Sequence, residues 1–225
     1  MKMQKSVIIT AGGIGKRMGS ELPKQFLVLG GKPVLVHTLE LFFKYDPNIE
    51  IILTLPNDWR GYWETVIDKY YCRVSHIVVN GGEERYHSIQ NALKQCSGSF
   101  IAVHDGVRPF VSFETLDRCF SALNQYEAVV PVLKLKESIR QTNENSTNAV
   151  DRSNYRLVHT PQCFHADVLH KAYEQAYHDK VTDDACLVEE IGYTIHLVES
   201  NEENIKLTTP FDFLIAETII QRSKK

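Results

Sequence analysis

Three cations, Lys16, Arg17 and Lys24, fall within the stretch AGGIGKRMGSELPKQ at residues 11–25, directly after the apolar run SVIIT. Glycines interleaved with cations suit a phosphate-rich ligand. Bare N–H groups can approach phosphate oxygens closely, and lysine and arginine add charge-assisted hydrogen bonds to them. The two best-known phosphate loops do not fit. In a GxxxxGK[ST] loop, Gly15-Lys16 would need Ser or Thr next, but Arg17 follows, and Thr10 occupies the first glycine position. In a GxGxxG fingerprint, Gly13 and Gly15 are in place, but Gly19 arrives one residue late. Pro23 and the turn-like GGKP at 30–33 precede the next periodic stretch, so the segment reads as a long loop that wraps a ligand.

Two further stretches share this character. NGGEERYHS at 80–88 places two glycines before a helix start, where free N–H groups can meet an acceptor, and Ser88 sets a hydroxyl beside them. Taken alone, it reads better as a tight turn and a capped helix. HDGVRP at 104–109 places Asp105 at the end of an apolar run, then a glycine and Arg108. Asp105 can hold Mg²⁺, which takes few protein ligands and keeps phosphate oxygens in its shell. Arg108 can grip an anion with two prongs. Three such loops at one sheet edge would make coincidence a poor explanation.

Those loops need elements to position them. SVIITA (6–11), IEIILTLP (49–56), SHIVVN (75–80), FIAVHD (100–105) and EAVVPVL (127–133) read as strands buried on both faces. Between them, residues 33–46, 60–71, 85–96 and 112–123 carry apolar side chains at helical spacing, the last with Ser112 as a start signal. Alternating strands and helices predict an α/β fold with a mostly parallel sheet and helices on both faces, whose ligands bind beyond the carboxyl ends of the strands. The segment from Lys134 to Pro161 breaks the rhythm. Its polar middle, TNENSTN, is a turn signal, so the segment reads as a long hairpin leaving the sheet, with Tyr155, Leu157 and Val158 seeking cover. A lone two-stranded ribbon is marginal, which makes another chain its natural partner. Helical patterns at 165–178 and 183–191, a strand at 193–199 and a helix after Pro210 complete the chain. No linker or repeat divides residues 1–225, so one domain carrying the 134–161 arm is expected.

Composition narrows the function classes. A formal net charge of −3 argues against a protein that coats nucleic acid, and no run approaches membrane-spanning length. The five cysteines are scattered without a CxxC pair, and the histidines show no metal-ligand spacing. A cytoplasmic protein without disulfides is the expectation.

AGGIGKRMG…LPKQ, GGEER..S, HDGVRP, DR…..TPQ (151–162), TDDA (182–185) and NIKLTTP (204–210) together resemble the 2-C-methyl-D-erythritol 4-phosphate cytidylyltransferases, in order and spacing, from about residue 5 to about residue 218. The resemblance implies a Rossmann-like domain whose β-arm exchanges across a homodimer. It further implies a requirement for CTP and Mg²⁺, and transfer of CMP to a sugar-alcohol phosphate with release of pyrophosphate. Carried over by position, it has Ala11, Gly12 and Gly13 lining the nucleotide, and Arg17 and Lys24 binding the triphosphate. Gly82, Glu83 and Ser88 would contact cytosine and ribose. Asp105, Gly106 and Arg108 would lie at the junction of metal and acceptor, with Lys206 reaching phosphate and acceptor and Thr182 on the acceptor side. Ser138, Arg152 and Thr160 would serve the acceptor of the partner subunit.

Glu83, Ser138 and DGVRP depart from the commonest pattern of that family without removing a charge or a hydroxyl. DGVRPF and AGGIG.RMG also resemble the ribitol 5-phosphate cytidylyltransferases, whereas KESIR and Asp151-Arg152 before TPQ look like the methylerythritol enzymes. The inventory suits an attack by an acceptor phosphate on the CTP α-phosphorus. That nucleophile is already an anion, so positioning and charge relief matter more than a general base. Arg17, Lys24, Arg152 and Lys206 are thus the expected catalytic cations, Asp105 the expected metal ligand, and Glu203 a weaker second candidate near the metal.

Overall fold

The computed structural model describes residues 4–12 and 22–223. In chain order the elements are β1 (Lys5–Thr10), β2 (Val28–Leu29), β3 (Lys32–Pro33), α1 (Val34–Tyr45), β4 (Glu50–Leu55), α2 (Arg60–Lys69), β5 (Ile77–Asn80), α3 (Arg85–Leu93), β6 (Phe100–Asp105) and α4 (Phe113–Ala122). They continue as β7 (Ala128–Lys134), β8 (Ile139–Thr142), β9 (Thr147–Val150), β10 (Arg156–Val158), β11 (Gln162–His165), α5 (Ala166–Ala172), α6 (Asp184–Glu190), β12 (His196–Glu199) and α7 (Pro210–Ser223).

The main sheet runs β5-β4-β1-β6-β11-β7, with β12 beside β7 and β10 extending along β7 beyond β11. Neighbours β1, β4, β5 and β6 are parallel, as are β7 and β12. Among the described strands of this sheet, only β10 and β11 run antiparallel to their neighbours. The central strands are buried on both faces because their side chains alternate between two cores. Val7, Ile51, Leu53, Phe100 and Ala102 join the core built with α1, α2 and α4, while Ile8, Ile52, Ile101 and Val103 join the core built with α3, α5 and α6. Each fully buried Leu or Ile contributes about 2 kcal/mol of transfer free energy. The sheet is therefore the rigid frame on which the loops hang.

Two expectations change. Among the described residues strand β5 pairs only with β4, at the sheet edge, and Ile77 is exposed rather than enclosed on both faces. Residues 162–165, which precede a helical pattern in the sequence, form β11, a short strand inserted between β6 and β7. Within the expected 134–161 arm, β8 and β9 form a hairpin that, among the described residues, pairs only with itself, whereas β10 returns to the main sheet beside β7. Ser112 caps α4 by accepting a 3.1 Å hydrogen bond from the Thr115 N–H. Among the described residues, no helix is long and apolar enough to cross a membrane.

Candidate active site

A cleft of about 350 Å³ opens beyond the carboxyl ends of β1 and β6. Ala11 and Gly12 leave β1 on one side, with the Ala11 N–H held 3.1 Å from the Thr54 carbonyl. The Ala11 carbonyl accepts 2.7 Å from Nε2 of Gln25, a buried side chain. That bond docks the short turn Lys24–Phe26 against the strand end, and Lys24 lines the cleft as a result. Gln25 thus carries an anchoring role outside the expected site residues. Its only sequence signal is its place after Pro-Lys in the motif.

The opposite wall is the turn before α3. Ser88 Oγ accepts from the Gly82 N–H at 2.9 Å and donates to the Glu84 carbonyl at 3.2 Å, which curls the loop over the start of the helix. A Cβ on Gly82 would lie 2.3 Å from the His87 Cβ and 3.0 Å from the His87 carbonyl carbon, so this approach admits only glycine. Glu83 and Ser88 line the cleft beside it.

Asp105 forms the floor. Its Oδ2 receives the Arg108 Nε at 3.0 Å and the Lys206 Nζ at 3.1 Å. Burial alone would raise this carboxyl, but Lys206, then Arg85 and Arg108, hold it well below the usual carboxylate range. Arg108 points inward: its Nη1 donates to the Asn204 carbonyl at 2.7 Å, so the guanidinium braces Asp105 instead of reaching out as a free fork. Gly106 donates its N–H to the Thr10 carbonyl at 2.9 Å, and its own carbonyl accepts from Thr38 Oγ1 at 3.0 Å. The turn is thus tied to β1 and α1 at once.

Arg85, unassigned by sequence, also lines the cleft. Its two terminal nitrogens meet Asp184 at 3.0 and 2.6 Å, and Tyr173 Oη reaches the same carboxylate at 2.5 Å. Burial works against the Arg85 charge, but Asp184 raises its pKa and keeps it cationic. The motifs GGEER and TDDA hold both residues, yet neither motif alone signals the pairing.

The remaining expected residues divide into groups. Thr182 borders a smaller recess shared with Arg85, and its Oγ1 lies 3.2 Å from Cys186 Sγ. Ser138 and Arg152 are exposed on the arm, away from the cleft lining, with an Arg152 Nη1 bonded to the Lys136 carbonyl. Thr160, grouped with the arm by the resemblance, sits against Asp105 of its own chain. Antiparallel pairing of Gln162 with Val103 puts it there. Glu203 is exposed and accepts from Asn201 Nδ2 at 3.1 Å, outside the cleft lining. Gly13 and Arg17 lie outside the described residues. Among the described residues, no three His, Cys, Asp or Glu side chains gather as a metal cluster.

A nucleotide-sized cleft at the carboxyl edge of a parallel sheet, floored by an ionised carboxylate and lined by lysines, defines a nucleotidyltransferase of the α/β class. The family model described as 2-C-methyl-D-erythritol 4-phosphate cytidylyltransferase matches residues 5–222, and the chain belongs to that family. Its relatives include the enzyme of that name from Bacteroides thetaiotaomicron, 48% identical over 97% of this chain and 100% of the relative. The one from Porphyromonas gingivalis is 44% identical over 98% of this chain and 99% of its own. Among solved structures, the 4-diphosphocytidyl-2C-methyl-D-erythritol synthase of Anaerococcus prevotii superposes with a TM-score of 0.84 at 30% identity, covering 98% of this chain and 97% of that one. The cytidylyltransferase of Thermus thermophilus superposes with a TM-score of 0.78 at 30% identity, over 97% of this chain and 100% of its own.

Proposed function

We infer that this chain transfers CMP from CTP to 2-C-methyl-D-erythritol 4-phosphate, giving 4-diphosphocytidyl-2-C-methyl-D-erythritol and pyrophosphate in isoprenoid-precursor synthesis by the non-mevalonate route. The convergence of Lys206 and Arg108 on Asp105, in a chain of this family, carries the reading. An oxygen of the acceptor phosphate attacks the α-phosphorus of CTP in line. A new P–O bond forms, the bond from the α-phosphorus to the bridging oxygen breaks, and pyrophosphate leaves with that electron pair. The acceptor monoester is an anion at neutral pH, so no side chain need remove a proton. The site instead offsets the repulsion between two polyanions. Lys24 and Arg17 serve the triphosphate, with Ala11, Gly12, Gly13 and Gly106 lining the nucleotide. The Gly82–Ser88 turn takes the cytosine and ribose, and Lys206 meets the acceptor beside Asp105, with Thr182 on the same side.

Mg²⁺ fits this site. Asp105 is ionised, it is an oxygen donor at the cleft floor, and among the described residues no hydrogen bond falls on its Oδ1. One carboxylate suits an ion that draws most of its ligands from phosphate and water. Bound there, Mg²⁺ supplies charge neutralisation for the CTP phosphates. The exposed arm, with Tyr155, Leu157 and Val158 uncovered on and beside β10, supports a homodimer in which Ser138 and Arg152 serve the neighbour's acceptor. All five cysteines are free thiols, in keeping with a cytoplasmic enzyme.

Pyrophosphate release with CTP and Mg²⁺ tests the reading. Release with 2-C-methyl-D-erythritol 4-phosphate, and none without acceptor, is the expected result. Preference for ribitol 5-phosphate in a parallel assay would overturn the acceptor assignment, and release unaffected by chelation would overturn the metal.

A further inference from the structure

We propose that His104 and Thr160 are positioning residues for the transfer, joined with Asn204 and the inward-pointing Arg108 in a closed hydrogen-bonded circuit that aims Asp105 and Lys206 into the cleft. The proposal deepens the cytidylyltransferase reading and rests on it.

The circuit can be followed atom by atom. The Asp105 N–H donates to Thr160 Oγ1 at 3.1 Å, and Thr160 Oγ1 lies 3.1 Å from His104 Nδ1. His104 Nε2 lies 2.9 Å from the Arg108 carbonyl. A carbonyl only accepts, so Nε2 carries the ring proton, Nδ1 keeps its lone pair, and the Thr160 hydroxyl must donate to it. The direction of every bond is thereby fixed. The Arg108 side chain continues the path through Nη1 to the Asn204 carbonyl at 2.7 Å, and Asn204 Nδ2 returns to the Thr160 carbonyl at 2.8 Å.

All the members are buried, and the His104 ring also packs edge-on to Phe42 of α1, with centroids 5.0 Å apart. Asn204 Oδ1 is the one buried side-chain atom of the circuit without a hydrogen-bond partner among the described residues, and breaking any of the bonds just named leaves a further buried group unpaired, which favours one geometry. Two cleft groups, Asp105 and Lys206, emerge from this one frame. Asp105 and Arg108 are members of it, and Lys206 follows Asn204 by two positions and closes on the Asp105 carboxylate. The Thr160 hydroxyl proton is committed to His104, so Thr160 acts through Asp105 and not by offering its proton to the acceptor.

Thr160→Val removes the hydroxyl while keeping the branched shape, and Thr160→Ser restores it. Steady-state kinetics with CTP and 2-C-methyl-D-erythritol 4-phosphate would be run beside ¹⁵N NMR of the histidine ring nitrogens and thermal unfolding. The wild-type spectrum should show His104 as the Nε2–H tautomer with a hydrogen-bonded Nδ1. In Thr160→Val the Nδ1 signal should move to that of an unbonded imine nitrogen, and kcat should fall about tenfold to a hundredfold with the acceptor KM within about threefold of wild type. Thr160→Ser should recover both. A rise in acceptor KM at unchanged kcat would make Thr160 a direct acceptor contact, and unchanged kinetics despite the moved Nδ1 signal would make the circuit merely structural. Either result overturns the proposal, as does an Nδ1–H tautomer in the wild type. His104→Gln, which keeps an amide donor for the Arg108 carbonyl but removes the ring acceptor at the Nδ1 position facing Thr160, repeats the kinetic arm should Thr160→Val unfold. A wild-type enzyme inactive on this acceptor would fail the cytidylyltransferase reading, while the tautomer would still report on the circuit.

Discussion

Arg85 and Asp184 face each other in a two-pronged ion pair, Nη1 to Oδ1 at 3.0 Å and Nη2 to Oδ2 at 2.6 Å, joining the first residue of α3 to the first residue of α6. Asp184 is fully buried, and its backbone N–H bonds to Gln162 Oε1 at 3.0 Å, so the pair also reaches the β11 strand. Removing one partner of a buried pair leaves the other charge uncompensated. Asp184→Ala should therefore lower stability by on the order of 3 kcal/mol. Denaturant unfolding measures it, and a loss below about 1 kcal/mol would class the pair with ordinary surface contacts.

Lys206→Ala removes the cation nearest the Asp105 carboxylate on the cleft side, and Lys24→Ala removes one from the triphosphate side. Both should lower kcat/KM by at least about a hundredfold, since in the proposed transfer each deletes charge that the transition state needs most. Thermal midpoints should stay near the wild-type value. Steady-state rates within about threefold of wild type would remove the residue from the set of catalytic cations.

Arg152 stands on the arm and Lys206 in the cleft, so a shared site can be tested by complementation. Arg152→Ala and Lys206→Ala chains, each nearly inactive alone, should regain about a quarter of wild-type turnover when refolded together. In the proposed homodimer half of the pairs are then mixed, and each mixed pair holds one intact site of two. No gain on mixing would show that Arg152 serves its own chain.

Burial lowers the pKa values of His37, His76, His104 and His159, the last two to about 4. The unfolded chain then binds protons that the native state refuses. Stability from these groups is complete above the unfolded value of 6.5 and declines as pH falls toward 4. For fully buried His104 alone the loss across that window is on the order of 3 kcal/mol. Unfolding midpoints should drop steadily from pH 7 to about pH 4.5. A flat profile would show that the rings take up protons in the native state as readily as in the unfolded chain.

The sheet was legible where physics leaves little choice. Strands such as SVIIT and FIAVHD bury both faces, so their apolar runs announce them. Residues 162–165 give no such signal. QCFH is short and runs into a helical pattern, and β11 is stabilised by β6 and β7 on its two sides and not by its own preference. Leu157 and Val158 pair with β7 yet remain exposed, which no reading of polarity would anticipate.

Residue types and their spacing set the chemistry available: glycines where backbone must approach a ligand, cations in loops after strands, and one carboxylate in HDGVRP. Those choices are local, since residue type fixes charge, reach and backbone freedom. Which groups face each other was settled by tertiary packing alone. Lys206 meets Asp105, Arg85 meets Asp184 and Thr160 meets Asp105, all between segments distant in the chain. Such pairings depend on sheet order and on the antiparallel register of β11 with β6. Strand order and register arise when the two cores pack on the sheet as a whole, and no short stretch of sequence encodes them.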